Sequence, residues 1–176
     1  QGVTYFSAAG NFGNKAYSAT FTPSALEPDI HDFGGGDILQ HVTLPEGSYT
    51  IVLQWEDPVY SIDGLSGAGT DLDIYLADDA GNELFGFNRD NTGADPLEVL
   101  SFVVTAPTSA NIKIRKAAGS NVQFKYVVFR GQIIIDEFAT GSSTIVGQAN
   151  AESAITIGAV RFDNTPELGN NPLVAE

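Results

Sequence analysis

The chain has 176 residues, 43% of them hydrophobic, which is enough for one domain with a sizeable core or for one domain with attached segments. Twenty-two acidic residues against eight basic ones give a net charge of −14. This charge argues against nucleic acid and anionic membrane surfaces as partners, and it is compatible with a secreted protein or one that binds cations. Cysteine is absent, which excludes disulfides and thiolate chemistry, and no apolar run has the length that crosses a bilayer.

The N-terminal residues predict a short strand followed by a turn. Residues 3–6 are apolar and β-prone, and small residues follow them: Ser7, Ala8, Ala9, Gly10 and Asn11. Small residues after a strand indicate that the backbone turns sharply or approaches another group closely. Residues 12–28 contain the breakers Gly13, Pro23 and Pro28, so we expect irregular structure in that segment.

From residue 31 to residue 131 the sequence carries short strand patterns separated by turn residues. The runs are 38–44, 48–55, 70–77, 83–88, 97–105, 110–116 and 122–131. Short strands at close spacing, with no convincing helical period between them, are typical of a β-sandwich or a jelly roll. We therefore predict an all-β, jelly-roll-like sandwich for this part of the chain.

The run 70–77 is the centre of this pattern. Leu72, Ile74 and Leu76 alternate with polar residues at the positions between them, Asp71, Asp73 and Tyr75. A period of two places the aliphatic side chains on one face of a strand and the polar side chains on the other. The pattern predicts a half-buried strand, and the turn at residues 78–82 leads into a second strand of a hairpin.

Beyond residue 131 the character of the sequence changes. Residues 153–160 form a nearly continuous apolar run, which is typical of a strand covered on both faces, as in a parallel sheet. Residues 3–6 have the same character. Because the chain begins at Gln1 rather than Met, we expect a piece of a longer protein. Both ends are then predicted to be strands of an α/β sheet that lies mostly outside this chain.

The two ends together resemble the subtilisin-like serine proteases (subtilases). The first motif runs from Val3 to Asn11 and ends in Ala8-Ala9-Gly10-Asn11, and the second comprises Ser143-Thr144 and the run 154–160. In that family a core strand ends in Ala-Ala-Gly-Asn, and a later strand reads Ile-x-Val-Gly-Ala-Val. The matching pieces cover roughly the first eleven and the last thirty-odd residues.

This resemblance implies roles for the residues at the end of the first strand. Asn11 would donate its side-chain amide to the oxyanion of the tetrahedral intermediate. Ala8, Ala9 and Gly10 would line a wall of the pocket for the residue before the cleaved bond. The alternative for Asn11 is a turn residue that tolerates a left-handed backbone.

The resemblance also implies that this chain is inactive as a protease. In the family the catalytic Asp (in an Asp-x-Gly setting) and the His of His-Gly-Thr precede this region, and the Ser of Gly-Thr-Ser-Met-Ala follows it. None of the three motifs has its counterpart here, and acyl transfer needs all three side chains. The middle of the chain resembles modules inserted in larger bacterial subtilases, and its strand 71–76 is similar to strands of pre-peptidase C-terminal domains.

We therefore expect three segments: residues 1–27 and 132–176 as pieces of a subtilase core, and residues 28–131 as an inserted sandwich. The expected function is that of a non-catalytic domain of a secreted endopeptidase, which shapes the access of protein or peptide substrates. Its partner would be the rest of the protease domain. Two alternatives stay open: a stand-alone carbohydrate- or protein-binding module, and a purely structural insert.

Acidic residues cluster in the loops of the predicted sandwich: Glu56, Asp57, Asp63, Asp71, Asp73, Asp78, Asp79, Asp90 and Asp95. Carboxylate oxygens are the ligands that Ca²⁺ prefers, but the sequence has no Asp-x-Asp-x-Asp-Gly loop with a Glu at its twelfth position. This absence favours solvated turns over a metal site. If calcium binds, Asp71 and Asp73 are its predicted ligands. His31 and His41, and the aromatic residues Trp55, Tyr60 and Tyr75, are expected to be structural.

Overall fold

The computed structural model describes residues 3–141 and 143–159, and within them it contains eleven strands. Their bounds are β1 (Tyr5–Ala8), β2 (Ala16–Thr20), β3 (Gln40–Leu44), β4 (Gly47–Trp55), β5 (Asp71–Ala77), β6 (Glu83–Phe87), β7 (Leu97–Val104), β8 (Thr108–Ala118), β9 (Gln123–Arg130), β10 (Ile134–Ile135) and β11 (Ala154–Ile157). One α-helical turn, α1 (Tyr60–Asp63), and one 3-10 turn (Gly147–Asn150) complete the described elements. Val160, the last residue of the apolar run 153–160, lies outside the described residues.

Two antiparallel sheets form a β-sandwich. The five-stranded sheet has the order β10-β3-β8-β5-β6, and the four-stranded sheet has the order β2-β9-β4-β7. One apolar core cluster joins the two sheets, with Leu72 and Ile112 from the first and Ile51 and Leu100 from the second. The all-β sandwich predicted from the strand spacing is thus confirmed.

The alternation of side chains explains why β4 lies at the centre of this core. Tyr49, Ile51, Leu53 and Trp55 fall on one face of the strand, and each is buried. Residues between them are half-buried or exposed, as in a strand with one face toward the core. The Tyr49 ring also stacks on Phe102 of β7, with the centroids 5.0 Å apart.

The prediction of a half-buried central strand is wrong, because every residue of β5 is buried. The aliphatic face of β5 belongs to the core, as expected. Its polar face is covered as well: Asp73 is only 4% exposed, and the Tyr75 ring lies against the backbone of Gly86 on β6 and under the guanidinium of Arg115. The sequence pattern located the strand correctly but not the groups that cover its second face.

The sandwich sheets extend beyond the predicted range of 28–131 at both ends. Strand β2 pairs with β9 over its whole length, and its Tyr17 contributes to the core, although residues 12–28 were expected to be irregular. Strand β10 pairs with β3, and Ile133 just before it is also buried in the core. The assignment of the remaining end residues to a protease core stays a prediction.

The two ends of the described chain form a separate, parallel pair of strands. β1 pairs with β11, with Tyr5 opposite Ala154 and Ala8 opposite Ile157. The side chains of this pair are largely open to solvent; Phe6 is 59% exposed and Ile157 is 56% exposed. One face of the pair is partly covered by the 3-10 turn Gly147–Asn150, where the Thr156 hydroxyl donates to the carbonyl of Ala149. The pair still differs from the usual setting of parallel strands, which are buried on both sides.

None of the helices within the described residues combines the length and the apolar character needed to cross a bilayer. This agrees with the expectation that the chain does not insert into a membrane.

Candidate functional site

The residues of the predicted oxyanion loop follow β1 directly. Ala8 ends the strand, and the backbone N–H of Ala9 donates to the carbonyl of Ile157 at 2.9 Å, so the loop starts at the parallel pair. Gly10 has φ = +88°, a left-handed conformation that favours glycine. Asn11 is exposed, and it is not among the described non-glycine residues with positive φ. The left-handed residue of this turn is therefore Gly10, not Asn11.

The same loop is attached to the sandwich by its next residues. The ring of Phe12 packs edge-on against Phe129 of β9, with the centroids 5.0 Å apart. The carbonyl of Lys15 accepts the N–H of Val128 at 2.8 Å, and its ammonium group donates to the carbonyl of Gly131 at 3.1 Å. In the sequence, Asn11 therefore stands between strand β1 of the parallel pair and Phe12, which contacts the sandwich directly.

A second candidate site is a group of three buried carboxylates, Asp71, Asp73 and Glu98, which we call the carboxylate cluster. One oxygen from each side chain lies within 4.8 Å of the others. Asp71 and Asp73 come from β5, while Glu98 comes from β7 in the other sheet. The relative exposures are 6%, 4% and 0%, so the cluster is closed off from bulk water.

Few hydrogen-bond donors reach these carboxylates. The N–H of Asn91 donates to Asp71 Oδ1 at 3.2 Å, and the Tyr75 hydroxyl donates to Asp73 Oδ2 at 3.1 Å. Asp73 Oδ1 and both carboxylate oxygens of Glu98 are buried without a partner among the described residues. A buried carboxylate normally has compensating donors or a charge partner, because removing an ion from water is costly.

Asn91 is a fourth polar residue next to the cluster, because its backbone N–H donates to Asp71. Its amide nitrogen donates to the carbonyls of Asp95 and Leu97, at 2.7 and 3.0 Å. Its amide oxygen is fully buried and has no partner. Among the described residues, five buried side-chain nitrogen or oxygen atoms lack a partner, and four of the five belong to Asp73, Glu98 and Asn91.

The electrostatics of the cluster follow from burial and like charge. Burial, reinforced by the charge of Asp73, raises the pKa of Glu98 to about 8, against the opposing effect of Arg89. Burial and the charge of Asp71 raise the pKa of Asp73 to about 6. Burial also raises the pKa of Asp71. Without a compensating cation, the cluster therefore holds its negative charge poorly.

The other predicted acidic residues are not part of this cluster. Five of them accept backbone N–H groups in surface turns: Asp57, Asp63, Asp78, Asp90 and Asp95. For Asp63, Asp78 and Asp90 these contacts are the local turn hydrogen bonds that aspartate commonly makes. Asp57 and Asp95 instead connect separate loops, because Asp57 accepts the N–H groups of Gly69 and Thr70 and Asp95 accepts that of Ser61. The interpretation as acidic turns fits Asp63, Asp78 and Asp90, whereas Asp71 and Asp73 are buried together with Glu98.

His31 and most of the aromatic residues have buried, structural surroundings, whereas the half-exposed His41 lies 2.8 Å from a carboxylate oxygen of Asp136 through its Nδ1. His31 is buried and accepts the N–H of Thr22 on Nδ1, so its proton lies on Nε2, 3.0 Å from the Tyr17 hydroxyl. Its neighbour Asp32 accepts the N–H groups of Gly34 and Gly36 instead. The rings of Trp55 and Tyr75 are buried and cannot stack on a sugar, whereas Tyr60 is 50% exposed.

Glu98 and Asn91 were missed as candidate ligands. Glu98 shares a face of β7 with the buried residues Leu100 and Val104, so a charged residue stands at a position where the strand period predicts a core side chain. That exception was visible in the sequence. Asn91 lies in the loop between β6 and β7, and nothing in its local sequence separates it from an ordinary turn residue.

Comparison of the chain with models of known protein families finds no match, and comparison with curated proteins finds none either. A functional assignment therefore depends on the end motifs and on the geometry of the two candidate sites.

Proposed function

We propose that the chain is a non-catalytic β-sandwich module inserted in the catalytic domain of a secreted, subtilisin-like serine endopeptidase. The observation that carries the proposal is the parallel pairing of β1 with β11, the two segments that hold the family-like motifs. An inserted domain has to leave its host and return at nearly the same place, and these paired strands supply that arrangement.

The exposure of the strand pair supports the same proposal. Tyr5, Phe6, Ile155 and Ile157 are each between 47% and 59% exposed, although they belong to adjacent parallel strands. Parallel strands are normally covered by helices on both faces. In the proposed enzyme the rest of the protease domain covers these side chains and extends the sheet on either side.

In this arrangement the sandwich acts from the wall of the substrate pocket. Asn11 donates to the oxyanion, and Ala8, Ala9 and Gly10 line the pocket for the residue before the cleaved bond. The sandwich begins a few residues later, with Phe12 packed on Phe129 and β2 starting at Ala16. The sandwich therefore shapes the approach of protein or peptide substrates without taking part in the chemistry.

The first test is to sequence the gene outward from both ends of this chain. The proposal expects Asp-x-Gly and His-Gly-Thr upstream and Gly-Thr-Ser-Met-Ala downstream. Unrelated domains on both sides would overturn it and favour a stand-alone binding module.

The second test uses the full enzyme with the sandwich, residues 16–135, replaced by a short Gly/Ser linker. Hydrolysis of a protein substrate should change in KM more than hydrolysis of a short chromogenic peptide, because only the longer substrate reaches the sandwich. A point variant of Asn11 to Ala is the matched comparison, since it should lower kcat for both substrates by about 100-fold or more. Equal effects of the replacement on both substrates would leave only a structural role for the insert.

A further inference from the structure

We propose that the carboxylate cluster of Asp71, Asp73 and Glu98, together with the amide oxygen of Asn91, is a calcium site that joins the two sheets of the sandwich. This inference does not depend on the protease assignment, because it concerns only residues inside the sandwich.

The first argument is the set of unpartnered oxygens. Glu98 is fully buried, neither of its carboxylate oxygens has a hydrogen-bond partner among the described residues, and one of them lies within 4.8 Å of an oxygen of each aspartate. A buried carboxylate in this state needs either a proton or a cation. The buried amide oxygen of Asn91 also lacks a hydrogen-bond partner. This observation is independent of the carboxylates, because the Asn91 side chain carries no charge.

The second argument is that hydrogen bonds orient the side chains of Asp71, Asp73 and Asn91. These hydrogen bonds leave the unpartnered oxygens of Asp73 and Asn91 free to bind a cation. The Tyr75 hydroxyl holds one oxygen of Asp73, and the N–H of Asn91 holds one oxygen of Asp71. The amide nitrogen of Asn91 is occupied by two backbone carbonyls, which fixes the orientation of its oxygen. Hydrogen bonds of this kind orient metal ligands in proteins.

The chemistry of the donors favours calcium over other common ions. All four side chains offer oxygen, the ligand atom of hard cations, and the described cluster contains neither sulfur nor imidazole nitrogen. Mg²⁺ usually retains several waters in octahedral geometry, which suits an open site better than one whose carboxylates are 6% exposed or less. Ca²⁺ accepts an irregular shell that includes bidentate carboxylates. Three carboxylates against one divalent ion leave a single negative charge, which Arg89 and Arg115 partly offset.

The test is calcium titration of the 176-residue chain after its metal has been removed with EDTA. Isothermal titration calorimetry with CaCl2 should give saturable binding of about one ion per chain, and Ca²⁺ should raise Tm because it binds only the folded form. MgCl2 at the same concentration should have a much smaller effect. If neither heat nor a change in Tm follows the addition of Ca²⁺, the inference is overturned and the cluster holds protons only.

Two matched variants locate the binding. Glu98→Gln should weaken calcium binding by at least about tenfold, since the loss of even an outer-shell partner of a ligand has an effect of that size. Glu46→Gln makes the same change at an exposed turn between β3 and β4 and should bind calcium like the unmodified chain. If Glu98→Gln binds calcium as tightly as Glu46→Gln, the site lies elsewhere and the proposal fails.

A third measurement decides the location even if Glu98→Gln does not fold. In ¹H–¹⁵N spectra of the unmodified chain, Ca²⁺ should cause its largest shift changes at the amides of Asp71, Asn91 and Glu98. Largest changes at the exposed turns of Asp63 and Asp78 would instead assign the binding to surface carboxylates and would overturn the proposal.

Discussion

Asp73 and Glu98 bring carboxylate oxygens to within 4.8 Å of each other inside the protein, from strands that belong to different sheets. Neither carboxylate oxygen of Glu98 has a hydrogen-bond partner among the described residues, although the charge and the backbone N–H of Arg89 act to lower its pKa. Two negative charges repel each other at this distance in the protein interior. The proton or cation that neutralises them therefore affects the stability of the contact between β5 and β7. The cluster is therefore a point where the stability of the sandwich depends on a bound cation or proton.

Replacing Asp73 by Asn should change stability in opposite directions with and without calcium. At pH 8 in EDTA, Asp73→Asn removes one of the repelling charges, and we expect the free energy of unfolding to rise by roughly 1–2 kcal/mol. The new amide oxygen can still accept the Tyr75 hydroxyl, so the hydrogen bond is kept. With saturating CaCl2 the variant should be less stable than the unmodified chain, because it lacks a charged ligand. Urea denaturation under both conditions measures this, and a change of the same sign in both would contradict it.

We predict that the hairpin of β5 and β6 needs a glycine at position 86 for its packing. A Cβ atom at Gly86 would lie 2.2 Å from the Tyr75 ring, a distance at which the ring has to move. Gly86→Ala should lower the free energy of unfolding by about 1–3 kcal/mol, as overpacking does in other cores. It should also weaken calcium binding, because the Tyr75 hydroxyl holds Asp73.

Gly69→Ala is the control for this change, because a Cβ at Gly69 would meet nothing closer than 4.0 Å. Thermal denaturation of the two variants should show a clear loss only for Gly86→Ala. An equal loss in both would mean that the destabilisation comes from replacing a glycine as such, and not from the contact with Tyr75.

The sequence allowed the strands and much of the core to be predicted, because alternation is a local property of the chain. The buried face of β4 follows directly from the period of two in Tyr49, Ile51, Leu53 and Trp55. Residues 3–6 and 153–160 were likewise expected to be parallel-type strands, and β1 and β11 do pair in parallel. Local pattern cannot identify the partner of either end strand, because the pairing joins the two ends of the described sequence.

The carboxylate cluster could be predicted only in part, because its members come together through long-range contacts. Alternation placed Asp71 and Asp73 on one face of β5, but it could not show that this face is covered. The β6–β7 loop contacts it through Asn91, and β7 brings in Glu98. Strand β2 was missed for a related reason: its pairing with β9 outweighs the breakers that flank it in the sequence.

His31 should make the stability of the sandwich sensitive to acid. Burial lowers its pKa to about 4, from an ordinary value of 6.5, while the charge of Asp32 opposes the shift only in part. The unfolded chain therefore takes up a proton before the folded chain does. The stabilisation is complete above pH 6.5 and is lost progressively between pH 6.5 and pH 4, by roughly 3 kcal/mol in total.

His31→Gln removes this titration, so the variant and the unmodified chain should converge in stability as the pH falls. Urea denaturation at pH 7, 5.5 and 4 in the presence of EDTA gives the difference between them. The carboxylates titrate in both proteins, so their contribution cancels in the difference between the two free energies of unfolding. A difference that stays constant over this range would show that His31 is not held neutral by the fold.

Phe12 is the contact through which the sandwich reaches the loop that contains Asn11. Its ring packs on Phe129 of β9, and it also lies 3.2 Å from where a Cβ of Gly10 would stand. Phe12→Ala should therefore loosen residues 9–12 while it lowers the free energy of unfolding by only about 1 kcal/mol, the scale of one aromatic pair. Amide hydrogen exchange should accelerate at Ala9, whose N–H donates to Ile157, and stay unchanged in β4 and β8.

Phe85→Ala is the matched control for Phe12→Ala, because Phe85 is a partly exposed aromatic residue of β6 whose ring meets Phe102 of β7. It should leave the exchange rate of Ala9 unchanged. If Phe12→Ala also leaves that rate unchanged, the contact between Phe12 and Phe129 does not stabilise the conformation of the loop. An influence of the insert on substrate binding would then have to come from direct contact with the substrate, and not from the placement of Asn11.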